Sequence, residues 1–460
     1  MTRPLHSYRP DEVAHLIETV ASGNCVSVVG LSNFGKSTLL RGLSTPVYSE
    51  QYHTLSGRDP LFVYVDCNRM LELTVQGFYE AILRAILEAL PPGTGDVHTR
   101  IDSLYRRIVE PESTFGVPLA FSDAVVQLMS DTAFDMILLL DEFDEALRGL
   151  DPRLFLNMRA LKDRYNERLV YVTATIQRLM SVRESDHVAE FGELFGPNEI
   201  FLGPLSAEQT VQLASDIFVE AHDKLDDAER DYILQMAGGH PGLTQAVAQM
   251  LLHVESGAPL LYQQQALSLA EQALENNRLV RNEVSKLWSQ ITEEEREALI
   301  LLVGQGADAL PLDMRRQLVQ RGILLDADNP RLFGRLFARY VQRQSLARQG
   351  MPGGVYLDTD AGEVWVNGLR VQTLTDLEYR LLLLLYGRLD KICDKYQIVE
   401  AVWGQEYIDE VDDARIEKLV SRLRAKLEPD PAAPHFLTTV RGRGYKLTNG
   451  SSESEDELDV

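Results

Sequence analysis

The densest chemistry in the chain lies between Gly30 and Thr38. The stretch Gly30-Leu-Ser-Asn33-Phe34-Gly35-Lys36-Ser37 fits the spacing GxxxxGK[ST] without a gap. Its glycines let the backbone turn tightly, so that successive N–H groups point at phosphate oxygens. Lys36 then places an ammonium on β- and γ-phosphates, Ser37 offers its hydroxyl to magnesium, and the helix opening at Lys36 adds its positive end. A second piece is Asp141-Glu142, which closes the apolar run Met136–Leu140. A buried strand delivers such a pair to its C-terminal end, where ligands bind in open α/β sheets. Asp141 is the expected magnesium holder, mostly through water, and Glu142 the residue that orients or deprotonates an attacking water. Asp144 and Glu145 read as surface charges. Together these residues predict a site for ATP or ADP with Mg2+.

A different chemistry sits near the C-terminus. Arg415, Lys418, Arg422 and Lys426 recur at helical steps of three to four, so a stripe of cations lines one side of a helix. Leu419, Leu423 and Leu427 turn the other side to a core. Such a helix can enter a major groove, with Arg422 near base edges and its flanking cations on phosphates. Arg424, Arg441 and Arg443 complete the cationic set, while Glu417 on the same helix works against a phosphate backbone.

The elements that must position these groups are legible from periodicity. A helix over Asp11–Ser22 precedes the β-branched run Cys25–Val29, the glycine turn and a helix from Lys36. Leu61–Val65, Met136–Leu140, Leu169–Thr173 and Glu199–Leu202 are further strands, and near-continuous apolar strands separated by helices predict a parallel sheet covered on both faces. Beyond Gly203-Pro-Leu-Ser206 the pattern is helical, with a helix start at Ser206 and a break between two helices at Ala237-Gly-Gly-His-Pro-Gly242. Short helices and a hairpin at Leu324–Leu332 fit a small winged helix between Val284 and Gln342. A linker is expected at Gln349–Gly354. Short antiparallel strands with a turn at Asn367-Gly368 follow, then three helices and a hairpin over Leu437–Leu447. Ser451–Val460 is serine and acid with little to bury, and is expected to be disordered.

Composition limits the alternatives. The 460 residues carry a formal net charge of -24, which argues against a surface that coats nucleic acid as a whole and leaves one local basic face for that task. The three cysteines lie far apart with no CxxC pair, which fits a reducing compartment and offers no thiolate metal site. No stretch approaches the ~20 apolar residues that span a bilayer, and the first residues do not read as a secretory signal. The expectation is a cytoplasmic protein without a membrane partner.

Gly30–Ser37, Leu138–Glu142, Thr173-Ala-Thr175, Gly203–Ser206 and Gly239-His-Pro241 together resemble the STAND branch of the AAA+ P-loop ATPases, which act in signal transduction. That resemblance implies a helical lid and a winged helix after the nucleotide domain. It also implies a γ-phosphate sensor at the end of the fourth strand, with Thr175 first and Thr173 second. Pro241 of the lid turn would lie near adenine, and Tyr8-Arg9-Pro10-Asp-Glu12 resembles the family's opening motif, also near the base. Thr38 continues the loop's contacts. His240 reads as a packing or capping residue. No late histidine clamp for ADP is identified, and Arg178 is the only candidate arginine finger. A repeat array of the kind that often senses the signal is not found.

Val355–Leu447 resembles the winged-helix effector domain of OmpR/PhoB-type response regulators. The matching pieces are Leu374–Tyr379, Val402-Trp-Gly404, Arg415–Leu427 and Thr439–Lys446. The resemblance implies an Arg441 that reaches the minor groove from a tight wing permitted by Gly442 and Gly444. Ser421 stands where relatives often carry another cation. A receiver domain with its phosphorylatable aspartate is not found.

The combined reading is a multidomain α/β plus α protein. Residues 1–204 form the P-loop nucleotide domain, 205–282 the lid, 283–348 a middle winged helix, 349–448 the OmpR/PhoB-type winged helix, and 449–460 an acidic tail. The expected function is an ATP-dependent switch acting as a DNA-binding transcriptional regulator, with slow hydrolysis. Double-stranded DNA is its partner, it forms a homo-oligomer, and a protein activator or effector is a further partner. The alternatives are a DNA-remodelling or loading AAA+ ATPase, and an ATP-driven defence or stress scaffold.

Overall fold

In a computed structural model the chain divides into two compact units, Met1–Tyr340 and Val341–Val460. The described residues are 8–252 (save 112 and 114), 274, 277–350, 354–358, 363–366, 369–371, 374–407, 411–428, 430–431 and 433–448. The Asn367-Gly368 turn and the acidic tail lie outside them.

The first unit opens with α1 (Pro10–Ala21), β1 (Val26–Val29), α2 (Lys36–Leu43), α3 (Pro46–Ser56) and β2 (Pro60–Asp66). Next come α4 (Val75–Ala89), α5 (Gly95–Val109), α6 (Gly116–Asp131), β3 (Asp135–Asp141), α7 (Phe143–Gly149), α8 (Arg153–Tyr165) and β4 (Leu169–Thr175). The short α9 (Leu179–Val182) and α10 (Asp186–Gly192) precede β5 (Glu199–Phe201). The five strands form one all-parallel sheet in the order β2-β3-β4-β1-β5. Every residue of β3 and of β4 is buried, as sheets covered on both faces require. Register brings Asp66 beside Asp141 and Val29 beside Thr175, so the loop after β1 and both strand ends meet at one edge.

After β5 the first unit is helical. It continues through α11 (Ala207–Glu220), α12 (Asp227–Ala237), α13 (Pro241–Leu251), α14 (Arg278–Gln290), α15 (Glu293–Gln305) and α16 (Leu312–Gln320), and α17 (Arg335–Gly350) starts within it. Capping boxes start three of these: Ser206 with Gln209, Asp226 with Glu229, and Thr292 with Glu295. Leu324 and Leu332 form an antiparallel bridge where the hairpin was expected. Gln349 and Gly350, expected in a linker, instead close α17. The preceding Ser345-Leu-Ala-Arg-Gln contains nothing that breaks a helix before Gly350.

The second unit holds β6 (Val355–Asp358), β7 (Glu363–Val366) and β8 (Leu369–Arg370) as an antiparallel sheet. Then follow α18 (Asp376–Tyr386), β9 (Ile392–Cys393), α19 (Lys395–Val402), α20 (Asp413–Leu427), β10 (Leu437–Val440) and β11 (Gly444–Leu447). The last two strands pair as a hairpin whose second strand also pairs with β9. Leu381, Leu385, Ile398, Leu419, Leu423 and Leu447 sit together in its core.

Candidate functional site

The glycine loop leaves β1 and enters α2 through two left-handed residues, Asn33 at φ 60° and Gly35 at φ 98°. A left-handed asparagine followed so closely by a left-handed glycine turns consecutive N–H groups inward, the geometry of an anion nest. Gly30 is held by a hydrogen bond from its N–H to the Thr175 carbonyl, and a side chain there would meet the Leu202 carbonyl at 2.9 Å. The loop is therefore anchored to two neighbouring strand ends.

Lys36 is buried and folded back on this loop, donating to the carbonyls of Gly30 (2.7 Å) and Leu31 (3.2 Å). Burial lowers its pKa, opposed by the nearby carboxylates of Glu142, Asp144 and Asp141. Asp141 accepts from the Tyr64 hydroxyl at 2.6 Å and from the N–H of Glu142 at 3.0 Å. Glu142 is half-buried in a left-handed conformation (φ 51°), and burial raises its carboxyl pKa. A strained acid with a raised pKa at a strand end is the profile of a proton acceptor. Ser37 and Thr38 are partly exposed in the first turn of α2. The donor set at this edge is hydroxyl and carboxylate oxygen, which suits magnesium, an ion that relies on phosphate and water for its remaining ligands. No cluster of three or more His, Cys, Asp or Glu among the described residues offers an all-protein metal cage.

Asp144 occupies a place different from the one expected, and the other residues singled out in the sequence are positioned as follows. Asp144 is not a surface charge: it is 4% exposed, and both its oxygens accept the N–H of Ile176 at 3.1 Å. It fixes the turn after β4. Thr175 turns its hydroxyl to the Gln177 carbonyl at 2.6 Å, whereas the Thr173 hydroxyl oxygen is buried without a hydrogen-bond partner. Phe34 directs its ring away from the loop's open side, 5.0 Å from His240 and 5.8 Å from Phe333. Only its backbone can face a phosphate. Arg9 is 1% exposed and donates to the carbonyls of Phe34 (2.9 Å) and Gly203 (2.6 Å), with Glu12 at 2.9 Å. Pro10 is exposed at the first turn of α1, and Pro241 is buried at the first turn of α13. Arg178 pairs with Glu199 at 3.1 Å and lies over Phe201 within its own chain.

His240 caps α13, its Nδ1 accepting from the Leu243 N–H at 3.1 Å. That fixes the proton of the neutral ring on Nε2, which faces the Ser32 carbonyl at 3.3 Å and Glu283 at 3.6 Å. Burial lowers its pKa to about 4. Phe333 stacks on His240 (5.9 Å) and on Phe337 (4.8 Å), and Gly238 lies so close to Gly334 that a side chain at either would strike backbone. The loop, the turn before α13 and the segment before α17 are thus one packed network.

In the second unit, α20 buries Ile416, Leu419, Val420, Leu423 and Leu427 and exposes Arg415, Lys418, Ser421 and Arg422. Arg415 lies over the Trp403 ring at 5.6 Å. The expected stripe stops short of Lys426, whose ammonium is held by the buried Glu378 at 2.8 Å. Arg424 is likewise drawn inward, donating to the Leu437 carbonyl and to the Thr439 hydroxyl, both at 2.8 Å. It braces the hairpin against the helix. Arg441 and Arg443 are exposed in the hairpin turn with Gly442 at φ 68°. Gly444 passes so near Cys393 that a side chain would meet its carbonyl oxygen at 2.0 Å.

Residues 370–447 match the family model described as transcriptional regulatory protein, C terminal. The C-terminal unit is an OmpR/PhoB-type winged helix. The chain is similar to an uncharacterized transcriptional regulatory protein, YrkP, of Bacillus subtilis, 34% identical over a quarter of this chain and 48% of that protein. It is also similar to the sensory transduction protein RegX3 of Mycobacterium bovis, 40% identical over 21% of this chain and 40% of RegX3. The chain thus spans less than half the length of these curated relatives. Among solved structures, the RstA DNA-binding domain of Klebsiella pneumoniae, in complex with its RstA box, is 26% identical with a TM-score of 0.20, covering 22% of this chain and 96% of that one. A Walker-type ATPase of Pyrococcus abyssi is 15% identical with a TM-score of 0.47, covering 73% of this chain and 95% of its own. The first unit, by its all-parallel sheet and the loop after β1, has a P-loop ATPase-like fold.

Proposed function

We propose that this protein is a DNA-binding transcriptional regulator whose conformation is set by a magnesium-bound adenine nucleotide. The loop from Gly30 to Thr38 holds the phosphates, with Lys36 leaving its own carbonyls to meet them and Ser37 and Asp141 on the magnesium side. Magnesium, when bound, draws charge from the phosphates. Glu142 orients and deprotonates a water at the loop's open side, and Thr175 or Thr173 answers to the terminal phosphate. Arg9 keeps the loop, α1 and the end of β5 in register near the base, with Pro10 and Pro241 beside it. Residues 205–282 serve as lid and 283–348 as a middle winged helix. Assembly into a homo-oligomer follows the nucleotide state, in a cytoplasmic protein. No helix among the described residues is long and apolar enough to cross a membrane.

DNA is read by α20 and the hairpin. Arg422 faces base edges, Arg415 and Lys418 meet phosphates, and Arg441 with Arg443 reach from the wing. Arg424 and Lys426 support this surface from behind.

The observation that carries the switch is the Phe34–His240–Phe333 contact. What fills the loop is felt by the segment that continues into α17. A ligand shifts a conformational equilibrium only through contacts that differ between two states, and this network is the route by which such a difference would reach α17. Equilibrium binding of a fluorescent ATP analogue and of ADP, with magnesium, tests the reading. Wild-type protein binds and Lys36→Ala loses at least about a hundredfold, the scale of a lost charge-assisted contact in a buried site. Equal binding by both proteins removes the nucleotide from the account.

A further inference from the structure

Helix α14 lies across the phosphate loop. Gln290 accepts the Ser32 N–H through its side-chain oxygen at 2.7 Å. Both carboxylate oxygens of Glu283 accept from the Asn33 side chain at 2.7 Å. Glu283 also lies 3.6 Å from His240, and a side chain on Gly242 would meet its carboxylate at 3.4 Å. Positions 283, 286 and 290 share one helical face, so Lys286 faces the same loop. Its ammonium is near enough to Lys36 and Glu142 to act on the charge of both.

This places opposite charges one turn apart over the loop that phosphate would enter. The carboxylate repels a polyphosphate and the ammonium attracts it. Gln290 in turn is tied back through its own carbonyl to Arg321 at 3.4 Å, and Arg321 pairs with Glu295 and reaches the Ile176 carbonyl at 3.5 Å.

We infer that α14 is a latch on the phosphate loop: Glu283 and Gln290 hold Asn33 and Ser32, and a polyphosphate entering the loop competes with Glu283 and engages Lys286. The inference rests on the nucleotide reading above. In it, the helix does not merely leave the loop. It exchanges a contact of one sign for a contact of the other, which gives α14 two defined positions and gives the helices after it a signal.

The test uses the full chain and two single substitutions, Glu283→Ala and Lys286→Ala, with magnesium ATP as probe. Removing the competing carboxylate tightens ATP binding about fivefold to tenfold, the scale of a hydrogen bond to a charged group at a partly exposed site. Removing the ammonium weakens it by a similar factor. A helix that is merely disordered by substitution moves both variants in the same direction, so opposite signs are specific to the latch. Hydrogen exchange supplies a second readout: the Ser32 region and α14 exchange faster in Glu283→Ala without nucleotide, as they do in wild type on adding ATP. The Glu283→Gln variant keeps the hydrogen bond to Asn33 and loses the charge, and falls between wild type and Glu283→Ala. Unchanged or weaker ATP binding by Glu283→Ala overturns the latch while leaving the nucleotide site in place. Absence of ATP binding in wild type and in Glu283→Ala alike overturns the nucleotide reading itself.

Discussion

Arg321→Ala isolates the buried pair on which the helical part of the first unit depends. Arg321 meets the two oxygens of Glu295 at 2.9 and 2.7 Å, with side chains 10% and 0% exposed, and reaches the carbonyls of Ile176 and Gln290 as well. Truncation leaves the Glu295 carboxylate inside the protein with no cation beside it, only the Thr292 N–H at 2.9 Å and the Gln317 side-chain amide at 3.5 Å. Removing one partner of a buried pair costs about 3–5 kcal/mol, because the other charge is left without compensation. A cooperative unit of the length of Met1–Tyr340 has an unfolding entropy of about 0.7 kcal/mol/K, so its transition falls by about 4–7 °C. Differential scanning calorimetry reads the shift directly. The Glu295→Gln partner keeps the capping box, since glutamine serves at that position, and the double variant Arg321→Met/Glu295→Gln recovers most of the loss. A fall of less than about 1 °C for Arg321→Ala, or a double variant no better than the single ones, refutes the argument that this pair is desolvated and coupled.

Two cations toward the C-terminal end of α20 approach Glu378, Lys426 at 2.8 Å and the more exposed Arg422 at 3.9 Å. Arg422→Ala lowers operator affinity by about 1–3 kcal/mol in a fluorescence-anisotropy titration. Lys426→Ala instead lowers the Tm of the second unit and leaves the salt slope of DNA binding unchanged, because its charge is already spent on Glu378. Burial pushes the Glu378 carboxyl up, but Lys426 and the Thr375 backbone bring it below its ordinary 4.5. The pair's contribution is therefore present above that value and is lost on further acidification, so the Tm gap between Lys426→Ala and wild type closes in acid. For His240 the folded pKa of about 4 lies below the ordinary 6.5. The unfolded chain binds more protons between these values, so stability of the first unit falls by up to about 3 kcal/mol as pH drops from 6.5 toward 4. A His240→Asn variant, which can keep the cap, flattens that dependence in urea titrations at several pH values. An unaltered slope contradicts it.

Much of this organisation is legible in the sequence, for identifiable reasons. The strands announce themselves because a sheet covered on both faces needs unbroken apolar runs, as in Met136–Leu140 and Leu169–Thr173. The loop is legible because its chemistry demands contiguous residues. The winged helix is legible because its core leucines and surface cations alternate at helical spacing along one helix. What escapes is set by distant partners. Asp144 stands two residues beyond Glu142 and looks like any solvated acid, yet burial and the Ile176 N–H claim it. Lys426 continues the cation spacing perfectly, and only its partner Glu378, 48 residues earlier, removes it from the surface. Tyr64 reads as a strand residue, although its hydroxyl holds Asp141. Glu283 and Gln290 sit at a spacing that every exposed helical face shares, and nothing local marks the face that lies on the loop.

The most direct test of the central claim is selection of genomic DNA fragments by the purified protein with ADP, with ATP, and with Glu142→Gln plus ATP. Enrichment of a short motif or direct repeat is expected to depend on nucleotide and to be greatest for the variant, where ATP persists. Enrichment of the same fragments in all three conditions, or sequence-blind binding with hydrolysis stimulated by any duplex, contradicts it.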